Sequence, residues 1–96
     1  MSGPGEFKPY DSGTTPRFQE IATFMRSQRH PIGPEVDIAL AGVPFDLGAT
    51  YRLGARHGPA VTREASRLIR AVNPATKVAP FRLCNIADVG DAPTHP

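Results

Sequence analysis

One cysteine, Cys84, stands in the 96-residue sequence, so no internal disulfide can form. That fits a reducing compartment. The residues around Cys84 supply it with neither a base nor a cationic partner, so its thiol reads as a small apolar side chain and not as a nucleophile. Long apolar runs are also missing. The longest, IALAGVPF, is far too short to cross a bilayer. MSGPGEFKPYDSG at the N-terminus has no basic start followed by an apolar run, so no secretory signal is read there. Charge of one sign is scarce: the formal net charge is +2, with no lysine–arginine block. Nucleic acid is therefore not an expected partner. The expectation is a soluble, cytoplasmic protein that meets neither nucleic acid nor membrane.

Turn formers are plentiful, with 11 prolines and 9 glycines, while hydrophobic residues make up 40% of the chain. Much of the excess lies in the first 34 residues and the last few, so the middle is closer to globular composition. Residues 1–34 read as an arm and linker, and 35–96 as the start of a folded domain. Within the arm, FQEIATFMR carries Phe18, Ile21, Ala22 and Met25 at helix-like offsets. A short helix and an extended docking segment both fit it. Pro31 and Pro34 then break the path.

VDIALAGV, residues 36–43, predicts a strand buried on both faces, as in a parallel sheet. A helix is predicted from Pro59, whose missing N–H costs nothing in a first helical turn. Val61, Ala65, Leu68, Ile69 and Val72 form its apolar face, and Asn73-Pro74 stops it. Arg63, Arg67 and Arg70 fall on the other side and read as a solvated or subunit-facing stripe. FRLCNIADVGD predicts a second strand anchored by Phe81, Leu83 and Ile86. Strand, helix and strand make a crossover unit of a parallel α/β sheet. One such unit leaves strand edges unpaired and a sheet face bare, so the chain reads as the opening unit of a larger domain.

Between the first strand and the helix lies GVPFDLGATYRLGARHGPAVTR, residues 42–63. In an open parallel sheet, the connection leaving a strand's carboxyl end lies where ligands bind. The glycine spacings of six, six and four over Gly42, Gly48, Gly54 and Gly58 match no dinucleotide fingerprint, and no Gly-Lys-Ser/Thr follows. Histidines 30, 57 and 95 are scattered, without zinc-site spacing. Asp88, Asp91 and His95 do cluster, in a way that suits a divalent metal. DVGDAP is also the composition of a strand-end turn, and that reading is preferred. Ser66 lies in the predicted helix with no triad partner near it in sequence.

The loop and helix together closely resemble the start of the ureohydrolase domain of agmatinases and guanidinobutyrases. The resemblance rests on Gly42, Pro44, Phe45, Asp46, Gly48, Arg52, Gly54, Arg56, Gly58, Pro59, Arg63, Ala65 and Ser66. ATFMR at 22–26 and CNIADVGD at 84–91 resemble the guanidinobutyrase and guanidinopropionase side of that family. Thr62 departs from the pattern, which has an aliphatic residue before the arginine. The resemblance implies an α/β/α sandwich with a mainly parallel sheet, of which this chain holds the first crossover. It also implies trimers or hexamers, and two manganese ions that activate a hydroxide to attack a guanidinium carbon, releasing urea and an amine. The family's metal-binding motifs, Gly-Gly-Asp-His, Asp-x-His-x-Asp and Asp-x-Asp, do not occur in these 96 residues. The segment is therefore expected to hold no catalytic or metal-ligating residue and to be inactive alone. Phe45, Asp46, Tyr51, Arg52 and Arg56 are its site-wall or substrate-binding candidates. Arg52 and Arg56 either pair with carboxylates of the wall or meet a substrate carboxylate. Agmatine and guanidinobutyrate both remain open as substrates, and so does a non-catalytic module that associates with ureohydrolase subunits.

Overall fold

The computed structural model describes residues 7, 9, 16–70 and 72–94. Three strands form one sheet: β1 (Gln28–Arg29), β2 (Ile38–Gly42) and β3 (Ile86–Asp91). Their order is β1-β3-β2, and both pairings are parallel. The last strand in sequence is thus the middle one in space. Ile86 and Ala87 of β3 are buried, and with Phe7 and Phe81 they make up the apolar core of the described residues. The expected crossover is present, since β2 and β3 are neighbours and α1 (Gly58–Ala65) lies between them in the chain.

Several elements depart from expectation for physical reasons. FQEIATFMR is not a helix. It runs through a turn and into a 3-10 turn at Phe24–Arg26, where Met25 and Arg26 both take φ of 56°. Phe18 and Ile21 stay exposed, and the extended alternative is the one the chain takes. β1 follows at once, a strand of only two residues and hence too short to show any alternation in sequence.

β2 is not buried on both faces. It stands at the sheet's edge, with Ile38 and Ala41 exposed and Leu40 half-buried. Only Gly42, where α1 begins to pack, is buried. A Cβ there would collide with the Asp91 carboxylate and lie 2.7 Å from Pro59 Cβ, so the close approach requires glycine.

The predicted helix to Val72 stops early. α1 passes into a 3-10 turn at Ser66–Leu68, and Ile69 is extended. Its apolar face points away from the described core, with Val61 64% and Leu68 69% exposed. The inward face is the polar one, carrying Arg63 and Ser66. Phe81 and Leu83 lie in a short helix, α2 (Pro80–Leu83), and not in the strand they were expected to anchor. Pro80 suits a first helical turn, which moves the start of β3 to Ile86.

β3 carries the sheet's one irregularity. Leu40 pairs with Asp88 and Ala41 with Gly90, so Val89 is an extra residue in β3. Gly90 takes φ of 92° at this bulge, and the Arg29 guanidinium lies where its Cβ would be. A core of this size buries little apolar surface against the chain entropy it must offset. We expect the isolated 96-residue chain to bind an apolar dye strongly and to melt over a broad range. A sharp cooperative transition of a monomer with dispersed amide resonances would refute this.

Candidate functional site

Beyond Gly42 the backbone leaves the carboxyl end of β2 and is caught almost at once. Asp46 is 4% exposed, and its carboxylate gathers the far end of the loop. Oδ2 accepts the Gly54 N–H at 2.6 Å and the Arg56 N–H at 3.3 Å. Oδ1 accepts Arg56 Nε at 2.9 Å and a terminal guanidinium nitrogen at 2.8 Å. Residues 47–53 are thereby closed into a ring. Gly54 at its end has φ of 151°, a conformation that glycine alone takes easily. The Arg56 guanidinium holds the Asp46 carboxyl at about 2, below its ordinary 3.8, with the Gly54 and Arg56 N–H groups acting with it against the cost of burial. Asp46 in turn raises the pKa of Arg56.

An open depression of about 220 Å³ lies against this clasp, lined by Pro44, Phe45, Asp46, Leu47, Arg56, His57 and Thr94. Phe45, Asp46 and Arg56 are thus brought together from the five candidates. Tyr51 and Arg52 do not line the depression. They ride on the exposed part of the ring, where the Arg52 guanidinium carbon lies 5.4 Å from the Tyr51 ring centroid. Of the two expectations for Arg56, carboxylate pairing describes the geometry.

A second polar cluster lies below the loop and overturns two expectations. Arg63 is not part of a solvated stripe. Its Nε donates to Asp88 Oδ2 at 2.8 Å and Nη2 to Asp88 Oδ1 at 3.1 Å, while Nη1 meets Asp91 at 2.7 Å. Its guanidinium also stacks on the Phe24 ring at 4.3 Å. Asp88 is not a turn residue. It sits within β3, 1% exposed, and accepts the N–H groups of Phe24 at 3.0 Å and Gly90 at 2.9 Å. Burial pushes its carboxyl up, but Arg63 and the two N–H donors outweigh that, and the net shift is downward. Asp88 in turn holds the Arg63 pKa up.

Arg67 is not solvated either. It donates to the carbonyls of Arg17, Gln19 and Glu20 and pairs with Glu64, clamping the arm along α1. Arg70 alone of the three is exposed. Ser66 is buried, accepting the Met25 N–H at 2.8 Å and donating to the Arg63 carbonyl at 2.9 Å, a structural role.

Asp91 is taken by Arg63, and His95 lies outside the described residues. Among the described residues no three His, Cys, Asp or Glu side chains form a group able to hold a metal ion. The Arg63–Asp88 pair escaped the sequence reading, although one signal was there. Asp88 sits between Ala87 and Val89 in a strand, a position where a charge needs a partner.

Two outcomes are expected in a complete domain containing this segment. Arg63→Met leaves the buried Asp88 carboxylate without its cation and should lower stability by about 3–5 kcal/mol. Arg63→Lys should restore part of that loss. The measurement is the melting midpoint, and parent-like melting of Arg63→Met would contradict the pairing. The second outcome concerns acid. Because folding lowers the Asp46 pKa, its stabilisation is complete above 3.8 and fades as pH falls toward about 2. Melting curves between those limits should steepen with acid less in Asp46→Asn than in the parent. An identical acid response would show that the clasp carries no such linkage.

Comparison with known proteins agrees over the same elements. The arginase family model matches residues 36–96, which hold β2, the clasped loop, α1 and β3. Guanidinopropionase of Pseudomonas aeruginosa is 43% identical over 89 residues, which cover 93% of this chain and 28% of that protein. Guanidinobutyrase of the same organism is 42% identical, over 88% of this chain and 27% of its own length. The solved structure of proclavaminate amidino hydrolase from Streptomyces clavuligerus superposes with a TM-score of 0.79 at 39% identity. That match covers 85% of this chain and 27% of the other. The chain thus spans roughly a quarter of the length of these relatives. With the family model matched across both paired strands and the loop between them, the chain belongs to the arginase family.

Proposed function

We propose that this chain is the opening segment of a ureohydrolase that cleaves a guanidino compound, agmatine or guanidinobutyrate, to urea and an amine. The observation that carries this reading is its 43% identity with guanidinopropionase across 93% of its residues. Guanidinobutyrase and proclavaminate amidinohydrolase, at 42% and 41% identity, support the same class. The complete enzyme works with two manganese ions, as the resemblance implies, and assembles as a trimer or hexamer in the cytoplasm.

The described residues do not fit that metal pair. They gather no group able to ligate it, and Asp88 and Asp91 both pair with Arg63. No step of the hydrolysis is assigned to them. Their work is to hold the wall of the site. Asp46 fixes the loop at the carboxyl end of β2, Arg56 keeps that carboxylate ionised, and Phe45 supplies apolar wall at the depression.

A second reading has one observation in its favour. The outer side of α1 and of the 3-10 turn after it, with Val61 and Leu68, is apolar and bare among the described residues, as suits a non-catalytic module that packs onto ureohydrolase subunits. Urea release separates the two readings from a third, in which the segment is an enzyme by itself. The purified 96 residues with manganese are expected to release no urea from agmatine, guanidinobutyrate or arginine. Metal-dependent release free of host enzyme would overturn this. A source reading frame that continues past Pro96 into Gly-Gly-Asp-His decides for the segment of an enzyme over the module.

A further inference from the structure

Phe18 and Ile21 of the arm are 82% and 88% exposed, and Glu20 between them is exposed too. Their backbone is nonetheless held. Arg67 donates to the carbonyls of Arg17, Gln19 and Glu20, and the Gln19 N–H closes a turn on the Pro16 carbonyl at 3.0 Å. Glu20 takes φ of 69°. That left-handed conformation is costly for a glutamate and persists only where the surroundings enforce it. Two apolar side chains flanking an acid are thus displayed on a fixed backbone, which has less entropy to lose on docking. The arm lies outside residues 36–96, which the family model matches, although guanidinopropionase matches 89 residues and so shares part of it. It is an addition to the shared domain and not a part of its core.

The chain also carries a complementary hollow. Met25, Ile69, Val72, Pro80 and Phe81 line an apolar groove of about 370 Å³, and Arg70 is the one cation in its wall. Arg70 is exposed, and among the described residues neither it nor Glu20 has an ion-pair partner. We propose that the arm of one copy of this chain seats Phe18 and Ile21 in this groove on a second copy, where Glu20 pairs with the partner's Arg70. The inference rests on the reading of the complete protein as an oligomer and names a contact that holds it. Knob and groove are different patches, so the contact is either exchanged twice about a two-fold axis or runs head to tail around a ring. Burial of the aromatic and aliphatic anchors supplies affinity, while the charge pair fixes the register and rejects a shifted seating.

The test uses the complete protein that includes this segment and follows its mass against concentration by sedimentation. Glu20→Arg or Arg70→Glu alone sets like charges opposite each other and is expected to weaken assembly about tenfold or more. The two together restore opposite charges and should bring the dissociation constant back to within about threefold of the parent. Phe18→Ser with Ile21→Ser should weaken assembly as well, by removing the anchors. An unchanged mass in both single charge variants overturns the proposal, and so does a double variant that assembles no better than the singles. A lowered melting midpoint in Arg70→Glu at unchanged mass also overturns it, since the groove is then filled by the remainder of the same chain.

The readings fail distinguishably. A parent that is monomeric at every concentration removes the oligomer, and this contact with it. A parent oligomer indifferent to the charge changes removes the contact alone. A parent that releases no urea, but whose mass follows the charge reversal and its rescue, loses the enzyme reading and keeps the contact.

Discussion

The Arg63–Asp88 pair is the contact on which the rest of the packing depends. Asp88 sits in the middle strand, and a buried carboxylate there is tolerable only if its charge and lone pairs are met. Arg63 comes from α1, the Phe24 N–H from the arm and the Gly90 N–H from the bulge in β3. One carboxylate thus ties together three parts of the chain distant in sequence. The small apolar core could not do this alone. Among the described residues four buried apolar side chains leave α1 without a greasy seat, and the helix is held by its polar side.

The same physics acts twice, at two levels of the crossover. Asp88 organises the sheet and the arm; Asp46 organises the loop above. Both carboxylates are buried, both accept backbone N–H groups as well as an arginine, and both are held ionised below their ordinary range. In each case the charge replaces apolar contact as the source of order. Where carboxylates are already engaged in this way, they are not available as metal ligands.

Arginine has divided work here. Arg63 and Arg56 neutralise buried carboxylates, and Arg67 clamps three arm carbonyls. The side chains look alike in sequence, and their surroundings differ only once the chain is folded. The bare apolar face of α1 and the exposed edge of β2 have the opposite character. They are surfaces whose patterning fits burial, and nothing among the described residues covers them.

The sequence by itself determined the parallel α/β crossover, because apolar runs and Pro59 act locally and leave a readable pattern. It also determined the family, since the order of Gly, Pro, Asp and Arg in the loop is written along the chain. It pointed to Phe45, Asp46, Tyr51, Arg52 and Arg56 through their place after a strand, and the structure brings the first two and Arg56 to one depression while Tyr51 and Arg52 stay outside it. Tertiary structure decided the remainder. Periodicity could say that α1 has an apolar and a polar face, but not which would turn inward. The answer hung on Asp88, 25 residues from Arg63 and invisible to any local window. The arm's extended path depends on Arg67 carbonyl contacts nearly 50 residues apart. β1 is two residues long and exists only because β3 offers an edge. Long-range pairing of charge and backbone leaves no period in a sequence, and so only the folded chain could reveal it.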